Sequence, residues 1–308
     1  MLDVALVGTG GFMPLHNRFL SSMVARLHGK MLLVDCGEGT QVSLRRIGWG
    51  FKDIDVICIT HFHADHVAGL PGLLLTIGNS GRTDPISIVG PKGVREVVSH
   101  LCVIAPIPYQ PRFVELRPQG GRPVDFAASV FRMSALPLDH HMPCLGYSIT
   151  VPRAGRFDAE KAKALGLPLK SWSKLQKGES FSHEGKTYTP DMVLGPERKG
   201  IKVSYVTDTR PVATIPGFVS GSDLFVAEGL YGDIAMVDQT AEKMHMAFSE
   251  AAGLALAGGV GELWLTHFSP AMQDPGSFLD SARQIFPNTK TGFDRMATTL
   301  RFVDDGQE

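Results

Sequence analysis

Cysteine is scarce in this chain: 4 residues in 308, Cys36, Cys58, Cys102 and Cys144, scattered and never spaced as Cys-x-x-Cys. That excludes a disulfide-stapled scaffold and a zinc site built on cysteine, and leaves the four as small core residues. Long apolar runs are missing too. No stretch approaches the roughly 18 uninterrupted apolar residues of a membrane span, and residues 1–8 carry no basic leader ahead of such a stretch, so the expected location is cytoplasmic. Nor is there an excess of one charge: 30 Lys and Arg face 31 Asp and Glu, a net of -1. Attraction to a polyanion would therefore have to come from a local surface. What the chain does have is material for a core, with 44% hydrophobic and 20% charged residues, enough for one large domain or two of ordinary size.

Short β-rich runs punctuated by turn residues occur at 4–7, 23–27, 31–34, 56–60, 86–89, 130–135 and 145–151, and again at 201–206, 223–227 and 262–266. Helical spacing is expected at 40–47, 67–77, 92–103 and 239–257. Successive strands with short turns, and helices outside them, predict two sheets packed face to face beneath outer helices. The segment 153–202 differs from its surroundings. It holds 11 Lys and Arg against 6 Asp and Glu, few β-branched residues and many turn formers. A short helix is expected at 159–165 and a hairpin around Glu184-Gly185. This stretch is either a charged surface insertion or an arm that meets a polyanion through phosphate contacts.

The densest chemistry is His61-Phe62-His63-Ala64-Asp65-His66, directly after the apolar run 56–60. Alternate side chains of an extended segment share a face, so His61 and His63 are placed to hold one ion. Asp65 and His66 fall where the chain turns into a helix and suit a second. Paired ions of this kind sit about 3.5–4 Å apart and hydrolyse phosphate esters. Further ligands are sought at other strand ends: His140 or His141, Asp208 and His267. Thr60-His61, Thr207-Asp208 and Thr266-His267 repeat one pattern, an apolar strand, then threonine, then a ligand-type residue, which suggests a shared rim.

Together with Gly8-Thr9-Gly10-Gly11, Val34-Asp35-Cys36-Gly37-Glu38-Gly39-Thr40-Gln41, Gly69-Leu70-Pro71-Gly72-Leu73, Val89-Gly90-Pro91-Lys92-Gly93, Gly146-Tyr147, Asp208-Thr209-Arg210, Glu228 and His245, these residues make the chain resemble the metallo-β-lactamase superfamily, and within it the short-form ribonuclease Z family. The resemblance implies an α/β fold, the four-layer αββα sandwich, as a single domain over residues 1–308 with an inserted basic arm at 153–199. It implies a zinc-dependent endoribonuclease that removes the 3′ trailer from precursor tRNA. His61, His63 and His140 would hold one zinc, Asp65, His66 and His267 the other, and Asp208 would bridge them. His140 is chosen over His141 because the family's ligand lies seven residues before the tyrosine of its Gly-Tyr pair, here Tyr147. Asp65, His245 and Glu228 would be catalytic, the arm would clamp the tRNA elbow, and the enzyme would act as a homodimer. Manganese or iron suits such ligands as well.

Several positions depart from the family pattern. Ser269-Pro270-Ala271-Met272 lacks the arginine of Ser-x-Arg-Tyr, Met246-Ala247 follows His245 where Ser-Thr is usual, and the arm reads Lys170-Ser171 in place of Gly-Pro. Arg18 and Arg210 are the expected replacements for the missing phosphate grip. On the residues alone, a zinc hydrolase of smaller phosphodiesters or other esters stays open beside the tRNA reading.

Overall fold

The computed structural model describes residues 1–232 and 237–303. Two seven-stranded sheets carry most of the chain. The first runs, edge to edge, Ala297–Leu300, Leu2–Gly8, Ser22–Leu27, Lys30–Val34, Ile54–Cys58, Ser87–Pro91 and Arg112–Leu116. The second runs Thr289–Thr291, Leu263–Thr266, Leu224–Glu228, Arg198–Val206, Cys144–Arg153, Phe131–Leu138 and Val124–Ala128. Each sheet is antiparallel at one side and parallel at the other: Lys30–Val34 to Arg112–Leu116 in the first, and Arg198–Val206 to Thr289–Thr291 in the second.

Both faces of the central strands are dry, so those strands read as continuous apolar runs rather than alternating ones. In Leu2–Gly8, Ala5 and Val7 join the cluster made with Leu44, Leu70, Leu73, Leu74, Val94 and Val98 of the helices Thr40–Ile47, Leu70–Asn79 and Val94–Leu101. The intervening Val4 and Leu6 point to the opposite face and are equally inaccessible at 0% exposure. The second sheet is covered likewise, with Val206, Phe225, Ala227, Leu263 and Leu265 against Ile215, Phe218, Phe248, Ala251, Ala255 and Ala282. Each fully buried leucine contributes roughly 1.5–3 kcal/mol. The inner faces meet through Tyr147, whose hydroxyl donates to Ile59 O (2.7 Å), and through Leu145 N–H, which donates to Thr60 O (3.0 Å). Helices outside and sheets inside make a four-layer αββα sandwich.

Two expected helices are broken. The one at 67–77 becomes Ala64–Val67 and Leu70–Asn79, split at Gly69, where a Cβ would lie 2.0 Å from Gly37 O. The one at 239–257 becomes Val237–Lys243 and Phe248–Gly258, because Met244 takes a left-handed turn (φ 60°) that lifts His245 off any helix. The edge strands Arg112–Leu116, Val124–Ala128, Thr289–Thr291 and Ala297–Leu300 were not anticipated. They are short and partly exposed, so their sequences carry little apolar signal.

By contact the chain divides into two units, Met1–Thr150 with Lys202–Leu300, and Val151–Ile201 with the described residues from Arg301 on. The second has a small core of its own, Ala162, Leu167, Leu175 and Val193 with Phe157, Trp172, Phe181 and Tyr188 packed around it. Its helices are Ala159–Ala164, capped by Asp158, and Leu169–Gln176, which the sequence did not announce. Phe181–His183 pairs with Lys186–Tyr188 across Glu184 and Gly185, both at positive φ (50° and 76°), the two-residue turn a right-twisted hairpin favours.

Candidate metal centre

The parallel strands of both sheets empty their carboxyl ends onto one edge, the usual seat of a site in open α/β sheets. His61 to His66 follow Ile54–Cys58, Asp208 follows Arg198–Val206, Glu228 ends Leu224–Glu228, and His267 follows Leu263–Thr266. Asp35, Asp208 and His267 leave their strands at φ 59°, 56° and 56°. Left-handed backbone in non-glycine residues is sparsely populated and costs of order 1–3 kcal/mol, so it persists where surrounding structure imposes it, often at a functional site.

Ligand atoms of His61, His63, His140 and Asp208 lie within 4.8 Å of one another, and so do those of Asp65, His66 and His267. His61 Nε2 is 2.9 Å and His140 Nε2 3.3 Å from His63 Nδ1, and His66 Nε2 is 3.3 Å from His267 Nε2. Tetrahedral ligands at 2.0–2.1 Å from zinc stand roughly 3.3 Å apart, so ring nitrogens converging at this spacing fit a cation among them. Asp208, a member of the first group, also lies beside the second, with its carboxylate 3.8 Å from His61 Nε2 and 3.3 Å from each of His66 Nε2 and His267 Nε2, and it forms a further group with His245 and His267. Asp65 Oδ2 is 3.6 Å from His66 Nε2 and 3.5 Å from His267 Nε2, and accepts from Phe12 N–H (2.8 Å). His141 stays a neighbour, its ring 5.5 Å from that of His140.

The electrostatics suit a cation. Burial, reinforced by the neighbouring imidazoles, pushes His61 down to about 2, and burial pushes His140 down to about 4, so both are neutral and offer a lone pair near pH 7. Burial would also lower His66, yet Asp208 and Asp35 on either side outweigh it and hold a positive charge there. A cation between His66 Nε2 and Asp208 satisfies the same demand. Asp208 Oδ2 is buried and has no hydrogen-bond partner among the described residues.

A residue that the sequence presents only within the motif at 34–41, with no role of its own, organises the ligands. Asp35, fully buried, accepts from Thr60 N–H (2.8 Å), Thr60 Oγ1–H (2.8 Å) and His66 Nδ1–H (2.8 Å). With its proton committed to Asp35, Thr60 Oγ1 accepts from His61 Nδ1–H at 3.0 Å. His140 Nδ1 meets Met244 O at 3.3 Å, and a carbonyl only accepts, so that nitrogen carries the proton. His61 and His140 are thereby fixed with Nε2 unprotonated toward the cluster, and His66, its Nδ1 proton committed to Asp35, turns Nε2 the same way, the outer-shell arrangement typical of metal-binding histidines. An acid closing the apolar run 31–34 was the signal available.

Beside the ligands lies a cavity of about 450 Å³ lined by Phe12, His63, Asp65, His140, Lys243 and His245. His245 Nδ1–H donates to Glu228 Oε2 (2.9 Å), while Glu228 Oε1 accepts from Thr209 N–H (2.6 Å). Burial would lower His245, but Glu228 and Asp208 outweigh it and push it up to about 9, so the ring is protonated near neutrality. The expected replacements for the phosphate grip are engaged elsewhere. Arg18 donates to Met272 O (2.8 Å) and Gln273 O (3.1 Å), pinning the loop after His267. Arg210 pairs with Glu250 and donates to His245 O, fixing the backbone of that histidine.

Comparison with known proteins agrees with this architecture. A family model described as the anti-Pycsar protein Apyc1 matches residues 2–98. Ribonuclease Z of Clostridium acetobutylicum is 52% identical over 311 residues, 99% of this chain and 100% of the relative. Ribonuclease Z of Lachnospira eligens is 49% identical over 307 residues, with 99% and 100% covered. Among solved structures, the short form of human tRNase Z superposes with a TM-score of 0.70 at 24% identity, over 97% of this chain and 100% of that one. The metallo-β-lactamase fold protein YhfI of Bacillus subtilis gives 0.68 at 19%, over 96% and 98%. With relatives about half identical along their whole length, the chain belongs to the ribonuclease Z family and has the metallo-β-lactamase fold.

Proposed function

We propose that this protein is a metal-dependent endoribonuclease that removes the 3′ trailer from precursor tRNA. The observation that carries the reading is the meeting of His61, His63, His140, Asp208, Asp65, His66 and His267 beside a cavity that also holds the buried His245–Glu228 pair. The name shared by the full-length relatives supplies the substrate class.

His61, His63 and His140 would hold one zinc ion and Asp65, His66 and His267 a second, with Asp208 within reach of both sets. When bound, such a pair makes a water nucleophile available near neutral pH and neutralises charge on a phosphate. Asp65, kept ionised by His267 and His66 against the opposing effect of burial and held in place by Phe12 N–H, orients the water as a hydrogen-bond acceptor. His245 donates a proton to the departing ribose 3′ oxygen, and Glu228 keeps that imidazole charged and oriented. Lys243 is the exposed cation at the cavity mouth and takes over the phosphate contact left by Ala271, Arg18 and Arg210.

The basic unit at 153–199 is assigned to tRNA docking, on the strength of its 11 basic against 6 acidic residues over 153–202. Homodimer formation is proposed with the exposed apolar pair Val103 (77%) and Ile104 (84%) as a candidate contact. A cytoplasmic location accords with four free cysteines, and no helix among the described residues is long and apolar enough to cross a membrane.

Incubation of the zinc-loaded protein with a trailer-bearing precursor tRNA, and separately with a small phosphodiester, tests the reading. Cleavage just after the discriminator nucleotide is expected. Turnover of the small ester with intact tRNA overturns it in favour of a small-phosphodiester hydrolase. Deleting residues 158–196 should abolish tRNA cleavage and spare the small ester, and equal loss of both activities would refute the docking role.

A further inference from the structure

Phe12 is a large apolar side chain in an unusual place. It is 48% exposed although it lines the cavity beside the metal ligands, and its backbone sits at φ 63°, a region that bulky residues rarely enter. The loop around it is fixed on every side. Gly11 N–H donates to Phe268 O (3.0 Å), Phe12 N–H to Asp65 Oδ2 (2.8 Å) and Met13 N–H to Gly11 O (2.8 Å). Gly11 itself presses on His267, where a Cβ would come within 2.7 Å of Cε1. The ring is thus held out from the core by a rigid, strained turn, its centroid 5.8 Å from that of His245 and 6.4 Å from that of His267.

Core packing does not account for this arrangement, because the residue is about half exposed and a smaller one would satisfy the same backbone bonds. A pre-positioned aromatic face beside a phosphodiester site has an evident use, since successive bases of a single strand stack on such rings irrespective of sequence. We infer that Phe12 is a stacking platform for a nucleobase flanking the scissile phosphate. His245, the proton donor to the leaving oxygen, is its aromatic neighbour, so the stacked base belongs to the nucleotide whose 3′ oxygen departs, the discriminator nucleotide. The inference rests on the RNA-processing reading above and adds to it a contact that does not depend on base identity.

The test compares the wild-type holoenzyme with Phe12→Ala, Phe12→Leu and Phe12→Trp on three precursor tRNAs: intact, abasic at the discriminator position, and abasic at the first trailer position. Stacking of this kind is worth about a 5- to 150-fold change. Phe12→Ala should lower kcat/KM on the intact substrate within that range, Phe12→Leu should stay low, and Phe12→Trp should recover. On the discriminator-abasic substrate the difference between wild type and Phe12→Ala should vanish. Zinc content, measured by elemental analysis, should be unchanged in all variants. Equal kcat/KM for wild type and Phe12→Ala on intact substrate overturns the inference, as does a loss that persists without the discriminator base or disappears only without the trailer base. A parallel fall in bound zinc would assign Phe12 a structural role instead. Failure of the wild type to cut any precursor tRNA removes the functional reading and this inference together, whereas wild-type cleavage with an indifferent Phe12→Ala removes this inference alone.

Discussion

Replacing Asp35 by asparagine is the sharpest probe of the centre, because it exchanges a single heavy atom and inverts a chain of hydrogen bonds. Asp35 only accepts, and through Thr60 and directly it fixes protons on His61 Nδ1 and His66 Nδ1. In Asp35→Asn, the amide oxygen retains Thr60 N–H, and the NH2 group occupies the position of Oδ2. That group donates to Thr60 Oγ1, whose hydroxyl proton then turns to His61 Nδ1, and it also donates to His66 Nδ1. Both rings must respond by placing their proton on Nε2, the nitrogen aimed at the cluster. Loss of an outer-shell partner costs 10- to 100-fold in metal affinity, or about 1.4–2.8 kcal/mol, and one histidine of each proposed ligand set is affected here. The expected result is a 10- to 100-fold weaker affinity at each site, read by competition with a chromophoric chelator, with a matching loss of kcat/KM at fixed zinc. Circular dichroism should report an unchanged fold. Wild-type affinity in Asp35→Asn would refute the tautomer argument.

Glu228→Gln should lower the pKa of His245 from about 9, because the counter-charge that raises it is gone. The ring is protonated below its pKa, so the basic limb of the kcat/KM profile moves to lower pH, and an unmoved limb would count against His245 as the proton donor. Gly11→Ala places a methyl 2.7 Å from His267 Cε1. The imidazole must shift, and activity should fall on the order of 10- to 100-fold with an intact melting transition; wild-type activity would show that the loop yields instead. Stripping the metals with a chelator should abolish hydrolysis and lower Tm, since a ligand held at a hundred times its Kd stabilises by about 2.7 kcal/mol. Re-added zinc should restore both, and an unchanged Tm would mean that the centre contributes nothing to the fold.

Much of this site was legible because its ligands fall at strand exits. An apolar run ending in threonine marks where a buried strand surfaces, and whatever follows is delivered to the sheet edge, as with His61, Asp208 and His267. Asp35 escaped notice because its role lies in what it accepts rather than in what it binds, and a hydrogen-bond relay through Thr60 leaves no spacing to read. His245 was misplaced on a helix because the apolar pattern of 239–257 continues through the turn, and nothing in the composition betrays a positive φ at Met244. The marginal strands stayed hidden for a plainer reason. A strand such as Ala297–Leu300, partly exposed on both faces, is defined by the backbone of its neighbour rather than by its own side chains.

His66 and His267 are separated by 201 residues yet their Nε2 atoms lie 3.3 Å apart. A ribosome adding 5–20 residues each second needs roughly 10–40 s to travel from one to the other. Within that interval the set of His61, His63, His140 and Asp208 is complete in the nascent polypeptide once Asp208 has been added, whereas the set of Asp65, His66 and His267 waits for the last of its members, so a competent nuclease cannot arise before residue 267 is in place.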